Sequence, residues 1–144
     1  MRHPMSPSDS LRLLRECGWG VLAVAEESDQ GARPVAVPVA YALEGEWLYL
    51  TMTEGRKVRA LRANPRLCLT VADVASLARW RSVAVIGRAA WLTGEAERAA
   101  AIAAFAAADR PAGFTLDADD LARFAGAELV RVEVDELHGW ESGG

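Results

Sequence analysis

The run RPVAVPVAYAL, from Arg33 to Leu43, restricts this chain more than any other stretch. Val35, Val37, Val39 and Tyr41 alternate with Pro34, Ala36, Pro38 and Ala40, the period-two pattern of a strand with one buried face. Pro38 has no N–H to give a neighbouring strand, so this strand sits at a sheet edge or is bulged there. An interrupted edge leaves backbone groups free for a flat polar ligand. It also protects against edge-to-edge pairing. The residues support both readings.

Similar runs flank it. Trp19 to Ala25 reads as a strand, followed by a polar turn from Glu26 to Ala32. Glu44-Gly45-Glu46 is a hairpin turn into Trp47–Thr51. Arg66 to Val71 and Leu129 to Val134 are further strands. Trp80 to Leu92 is a long one in which Gly87 marks a bulge or bend. Helices are predicted from near Ser8 to Cys17, from Glu95 to Asp109 and from Asp117 to Phe124, with Pro111 to Gly113 breaking the second. Asp73 to Arg79 reads as a loop or helical turn, and residues 136–144 as a loose tail apart from Trp140. The expectation is one domain over 1–144 with its core at about 8–135. It is mainly β with peripheral helices, a six-stranded antiparallel barrel.

The stretch TMTEGRKVRALRANP, from Thr51 to Pro65, has charges in an unusual place. Thr53 is a plausible N-cap, Val58 and Leu61 share one face, and Asn64-Pro65 ends the helix. Arg56 and Lys57 stand in the first turn, where the helix dipole disfavours cations. An anion bound there resolves the conflict, because free N–H groups at a helix start already bind phosphate. A solvated basic face is the other reading.

The charge, 16 basic against 20 acidic residues, is −4 and argues against nucleic acid as a partner. The cations Arg56, Lys57, Arg59, Arg62 and Arg66 are local, which suits a small anion. No run approaches the roughly 20 apolar residues of a membrane span, and MRHPMSPSDS has no apolar signal region. A cytoplasmic location is expected by default. Cys17 and Cys68 read as buried thiols, and His3 and His138 as surface residues, so no metal site is expected. Trp80, Trp91 or Trp140, if exposed, offer a dimer contact.

The chain resembles the pyridoxamine 5′-phosphate oxidase-like family of FMN-binding split barrels. Two motifs carry the likeness. One is Thr51 followed by Arg56-Lys57 and Asn64-Pro65; the other is Trp80-Arg81-Ser82-Val83 followed by Gly87-Arg88-Ala89. PVAVPVAY upstream adds to them. The nearest look is to small nitroimidazole-resistance-like and general-stress-type members. The resemblance implies an FMN-binding split barrel acting as a homodimer, with a flavin in each of two interfacial grooves. Arg56 and Lys57 would hold the phosphate with help from Thr51. Val37, Pro38 and Val39 would line the flavin ring, and Trp80, Arg81, Ser82 and Val83 would lie near its polar edge or the partner subunit. Two departures set this chain apart from true pyridoxamine phosphate oxidases. Val35–Ala40 carries no arginine or lysine, and the chain stops soon after Trp140.

Function is expected to follow the flavin. One reading is an FMN-dependent reductase taking hydride from NAD(P)H for a small-molecule acceptor. The alternative is a non-catalytic carrier or sensor of flavin or deazaflavin (F420). No side chain is nominated as catalytic, since no Ser/His/Asp or paired-carboxylate pattern exists.

Overall fold

The computed structural model describes residues 1–108, 117–124 and 126–143. The elements in chain order are β1 (Arg2–Pro4), α1 (Pro7–Glu16), β2 (Trp19–Glu26), β3 (Arg33–Glu44), β4 (Trp47–Met52) and α2 (Arg56–Ala63). They continue with β5 (Arg66–Ser76), β6 (Arg79–Trp91), α3 (Glu95–Ala107), α4 (Ala118–Phe124) and β7 (Glu128–Ser142). The expected helix break at Pro111 to Gly113 lies outside the described residues.

All strand pairs are antiparallel, in the order β1-β7-β4-β3-β2-β5-β6, and β6 also pairs with β7. Six strands therefore close a ring, as expected, and β1 is a seventh strand laid on β7 outside it. Two local expectations are corrected. Residues 136–142 are not a loose tail, because they extend β7 between β6 and β1. Asp73 to Arg79 is mostly strand, since β5 runs to Ser76 and β6 starts at Arg79.

Local chemistry accounts for the joints. Ser6 caps α1 by accepting from the Asp9 N–H at 3.1 Å, with Pro7 in the first turn. Gly45 has φ +62° and is the first residue of the two-residue loop between Glu44 and Trp47, as a type II′ hairpin turn demands. Asn64 accepts from the Arg66 N–H at 3.2 Å and turns the chain out of α2 at Pro65.

The barrel interior is filled by Leu22, Tyr41, Leu50, Leu69, Val85 and Val130, all buried. Leu13 and Leu14 of α1 join it, and the Tyr41 hydroxyl donates to the Leu14 carbonyl at 2.7 Å. Val58 and Leu61 of α2 close the cluster. On the barrel's outside, α3 packs Ala101, Ala104 and Phe105 against Ala42, Tyr49 and Leu129, with Phe124 of α4 against Phe105. These helices cover the half of the exterior formed by β4, β7 and the end of β3.

The other half, from the start of β3 across β2, β5 and β6, has no helix over it among the described residues. One row there reads Pro38, Val21, Thr70, Ala84, and the next reads Ala36, Ala23, Cys68, Ile86. Neither row carries a charge. Trp19 and Val21 are half-exposed on this face. The three tryptophans that would offer a contact if exposed, Trp80, Trp91 and Trp140, are half-buried, with Arg62 over Trp91 and Arg2 over Trp140.

Gly87 meets the bulge in β7. The β6–β7 register shifts between Ile86 and Gly87, leaving Asp135 as the extra residue, which Arg88 holds through two bonds of 3.0 and 3.1 Å. A Cβ on Gly87 would lie 2.3 Å from the Glu133 carbonyl oxygen. Gly87→Val therefore forces the ring's closing seam apart. It is expected to destabilise the protein by about 1–3 kcal/mol, read as a lower midpoint of thermal unfolding by circular dichroism.

Candidate functional site

The unpaired part of β3 is the first component. The Tyr41 N–H donates to the Gly18 carbonyl at 3.1 Å, and the β2–β3 register is unbroken. Odd-numbered residues from Val35 to Val39 therefore turn their backbone groups to β2, and even-numbered residues turn theirs away. On that far side β4 pairs only with Ala40 to Glu44. Between Arg33 and Val39 the strand has no second neighbour among the described residues. Pro34 and Pro38 both fall where the missing N–H breaks no ladder bond. The Ala36 N–H and the carbonyls of Pro34, Ala36 and Pro38 face outward. β3 is thus an interior strand of the sheet that is an edge over its first half, with no bulge at Pro38.

The second component is the start of α2, just beyond β4. The N-cap is Gly55, not Thr53, and no side chain caps the helix. Thr53 is exposed and lies two residues before the cap. The first-turn N–H groups are left without a side-chain acceptor. Lys57 is half-buried and has no ion-pair or hydrogen-bond partner among the described residues. Thr51 lies opposite Ala40, where β4 meets β3. The Ala40–Thr51 pairing and the bonds of Arg56 and Arg33 to Glu26 bring Val37, Pro38, Val39, Thr51, Arg56 and Lys57 to one side of the barrel, with a candidate groove between the free edge of β3 and the α2 N-terminus. Val39 is buried, so only its backbone can meet a ligand.

Arg56 is already engaged. It donates through Nε and Nη2 to the Glu26 carboxylate, the Nη2 bond being 2.8 Å, and Arg33 donates to the same carboxylate at 2.6 Å. Glu26 is the last residue of β2. The Arg56 bond, then that of Arg33, holds its carboxyl down at about 2. Nη1 of Arg56 makes no hydrogen bond to Glu26 and keeps donors for another anion.

The motif from Trp80 to Val83 sits elsewhere. Arg81 pairs with Asp73 at 2.7 Å and Glu16 at 3.4 Å, at the opposite end of β2 from Glu26. At about 3.3 Å per residue, the two ends lie about 26 Å apart along the strands. Arg79, Trp80, Arg81, Asp73 and Ser142 line a cleft of about 380 Å³ there. Trp80 and Ser82 fall on the uncharged outer face, whereas the Val83 side chain is wholly inside the barrel. Within one chain, these four residues and the Arg56–Lys57 groove do not meet.

The model of the family described as pyridoxamine 5′-phosphate oxidase matches residues 6–141. The chain belongs to this family. Over 56 residues it is 41% identical to an uncharacterised protein of Rhizobium meliloti, a match spanning 39% of this chain and 37% of that relative. Solved structures share the family's split-barrel fold across the whole length. An FAD-binding protein of Mesorhizobium loti superposes with TM-score 0.75 at 23% identity, covering 100% of this chain and 98% of its own. An FAD-binding protein of Mycobacterium smegmatis does so with TM-score 0.68 at 18% identity, covering 95% and 97%.

Sequence reasoning missed Glu26 and Arg33. Glu26 reads there as the first residue of a polar turn, and its partner Arg56 is 30 residues away. Only the alternation of β2, carried one residue further, places it at a strand end. The cluster has a pH signature. A carboxyl held below its ordinary value stabilises the fold fully above about 4.5 and loses that contribution as pH falls towards 2. The gap in unfolding midpoint between wild type and Glu26→Gln is therefore expected to be full at pH 6 and to close below pH 4.5. A gap that is constant with pH would assign Glu26 no such role.

Proposed function

We propose that this chain is a flavin-binding protein that works as a homodimer, taking FMN and using it to reduce a small molecule. The observation that carries the reading is a single groove with an unpaired strand edge on one wall and an uncapped helix start with an unpartnered Lys57 on the other. That donor set fits a flavin phosphate: first-turn N–H groups, the Lys57 ammonium and the remaining Arg56 donors. The Ala36 N–H and the outward carbonyls of β3 suit the polar rim of a planar ring, with Pro38 against its face. The FAD-binding relatives support a flavin.

The uncovered face supports the dimer. An isologous contact through it brings one end of the face over the opposite end of its partner. Trp80 and Ser82 of one chain then reach towards the partner's groove, which the single chain cannot achieve. A bound flavin supplies the hydride acceptor and donor between NAD(P)H and a small acceptor. The chain's own part is to fix the phosphate, hold the ring along β3 and exclude water from its face.

Absorbance and fluorescence titrations with FMN, FAD and F420 test this. FMN is expected to bind with quenched fluorescence and to support NAD(P)H oxidation by nitroaromatic or quinone acceptors. Binding without turnover makes the protein a flavin or deazaflavin carrier, and no binding overturns the reading. Arg56→Glu with Lys57→Glu is expected to weaken FMN by about 3 kcal/mol or more, at least about 100-fold, and to leave riboflavin unchanged. An unaltered FMN affinity would put the phosphate elsewhere.

A further inference from the structure

The β5–β6 hairpin runs past the end of β2 as an arm. Its pairs Asp73–Arg81, Val74–Trp80 and Ser76–Arg79 lie beyond the last β2–β5 pair, Val21–Thr70. At its tip Leu77 is 98% exposed and Val74 64%. At the other end of the same sheet face is a shallow groove of about 390 Å³, lined by Ala23, Ala25, Pro34, Leu67 and Cys68 together with Arg66. Its walls are mostly small side chains, which leave room for a larger one.

We propose that in the dimer the Leu77 tip of each protomer seats in this groove on its partner. The inference rests on the homodimer reading and specifies its geometry. Three observations carry it. The first is spacing. Along the strands the tip and the groove are about ten residues, or about 33 Å, apart, and midway between them lie Trp19 and Val21. These are the large apolar side chains left half-exposed on the face itself. A two-fold axis through that level, lying across the strands, exchanges tip and groove and places Trp19 and Val21 of both copies around the axis. The second is area. The uncharged rows of the four strands cover only about 20 by 19 Å, about 400 Å², against the roughly 800 Å² per partner of a standard stable interface. Two arms seated in two grooves supply the missing area. The third is charge. The rows Pro38–Val21–Thr70–Ala84 and Ala36–Ala23–Cys68–Ile86 carry none, so the middle of the face meets its own copy without opposing like charges, and Arg66 is the one charged side chain lining the groove.

Cys68 provides the test, because it lines the groove and is half-exposed. The full chain with Cys17→Ser and Leu77→Cys is mildly oxidised and run on a denaturing gel without reductant. A covalent dimer is expected, through a disulfide to the partner's Cys68. It should vanish when Cys68→Ser is added, and it should not form with Leu77 intact. Sedimentation velocity gives the second readout: Leu77→Asp, an exposed change that leaves the barrel's circular dichroism as it was, is expected to weaken the dimer at least tenfold. If wild type sediments as a dimer but neither result is seen, the arm does not dock there, and the homodimer stands without it. If wild type sediments as a monomer throughout, both readings fall.

Discussion

Two missing N–H groups organise this protein. Pro34 and Pro38 cannot donate, and a strand with proline at alternate turns of its ladder can pair fully on one side only. β3 meets that constraint by turning both prolines away from β2 and taking β4 only after Val39. The barrel is therefore complete at one end and open beside β3 at the other. α2 fills the opening from inside with Val58 and Leu61, yet it leaves its own first turn facing the unpaired edge. A groove with backbone donors and acceptors on both walls is what remains when these requirements are satisfied together.

Charge is handled locally around that groove. Arg33 and Arg56 converge on one carboxylate, so Glu26 ties the start of α2 to the end of β2 and the start of β3. Such exposed pairs add little stability individually. Their effect is positional: the guanidinium of Arg56 is held by its Nε side, and Lys57 next to it remains uncommitted. The pairing of Arg81 with Asp73 and Glu16 does the same at the far end of the face. The fold thus has two charged corners separated by an uncharged field.

Much of this was legible from residue order. Alternation gave the strands of the ring, and Pro38 announced either an edge or a bulge, of which the edge, over half the strand, is what forms. The basic first turn of α2 singled out a candidate anion site, with a solvated basic face as the other reading. What escaped notice depended on distance. The polar, glycine-rich look of residues 136–144 concealed a strand, because nothing local shows that β1 and β6 wait on either side of it. Thr53 looked like a cap because a side chain's preference does not reveal that the helix is capped two residues later, at Gly55. Which tryptophans stay exposed depended on distance too: Arg2 and Arg62, remote in sequence, lie over the half-buried Trp140 and Trp91, whereas Trp19 is half-exposed.

The β6–β7 seam also sets the order in which the molecule can be assembled. β7 is hydrogen-bonded to β4, β6 and β1, so the ring's closing strand is the last one to emerge during synthesis. Until then β4 and β6 present open edges, and β1 at the chain's start has nothing to pair with. Contacts of such long sequence separation slow folding and expose sticky edges in the meantime. The half-made barrel is the state most at risk of aggregation, and α3 bears on that risk. Coming before β7, it can lie over Ala42 and Tyr49 on the outside of β3 and β4 and keep that surface from solvent while the final strand arrives.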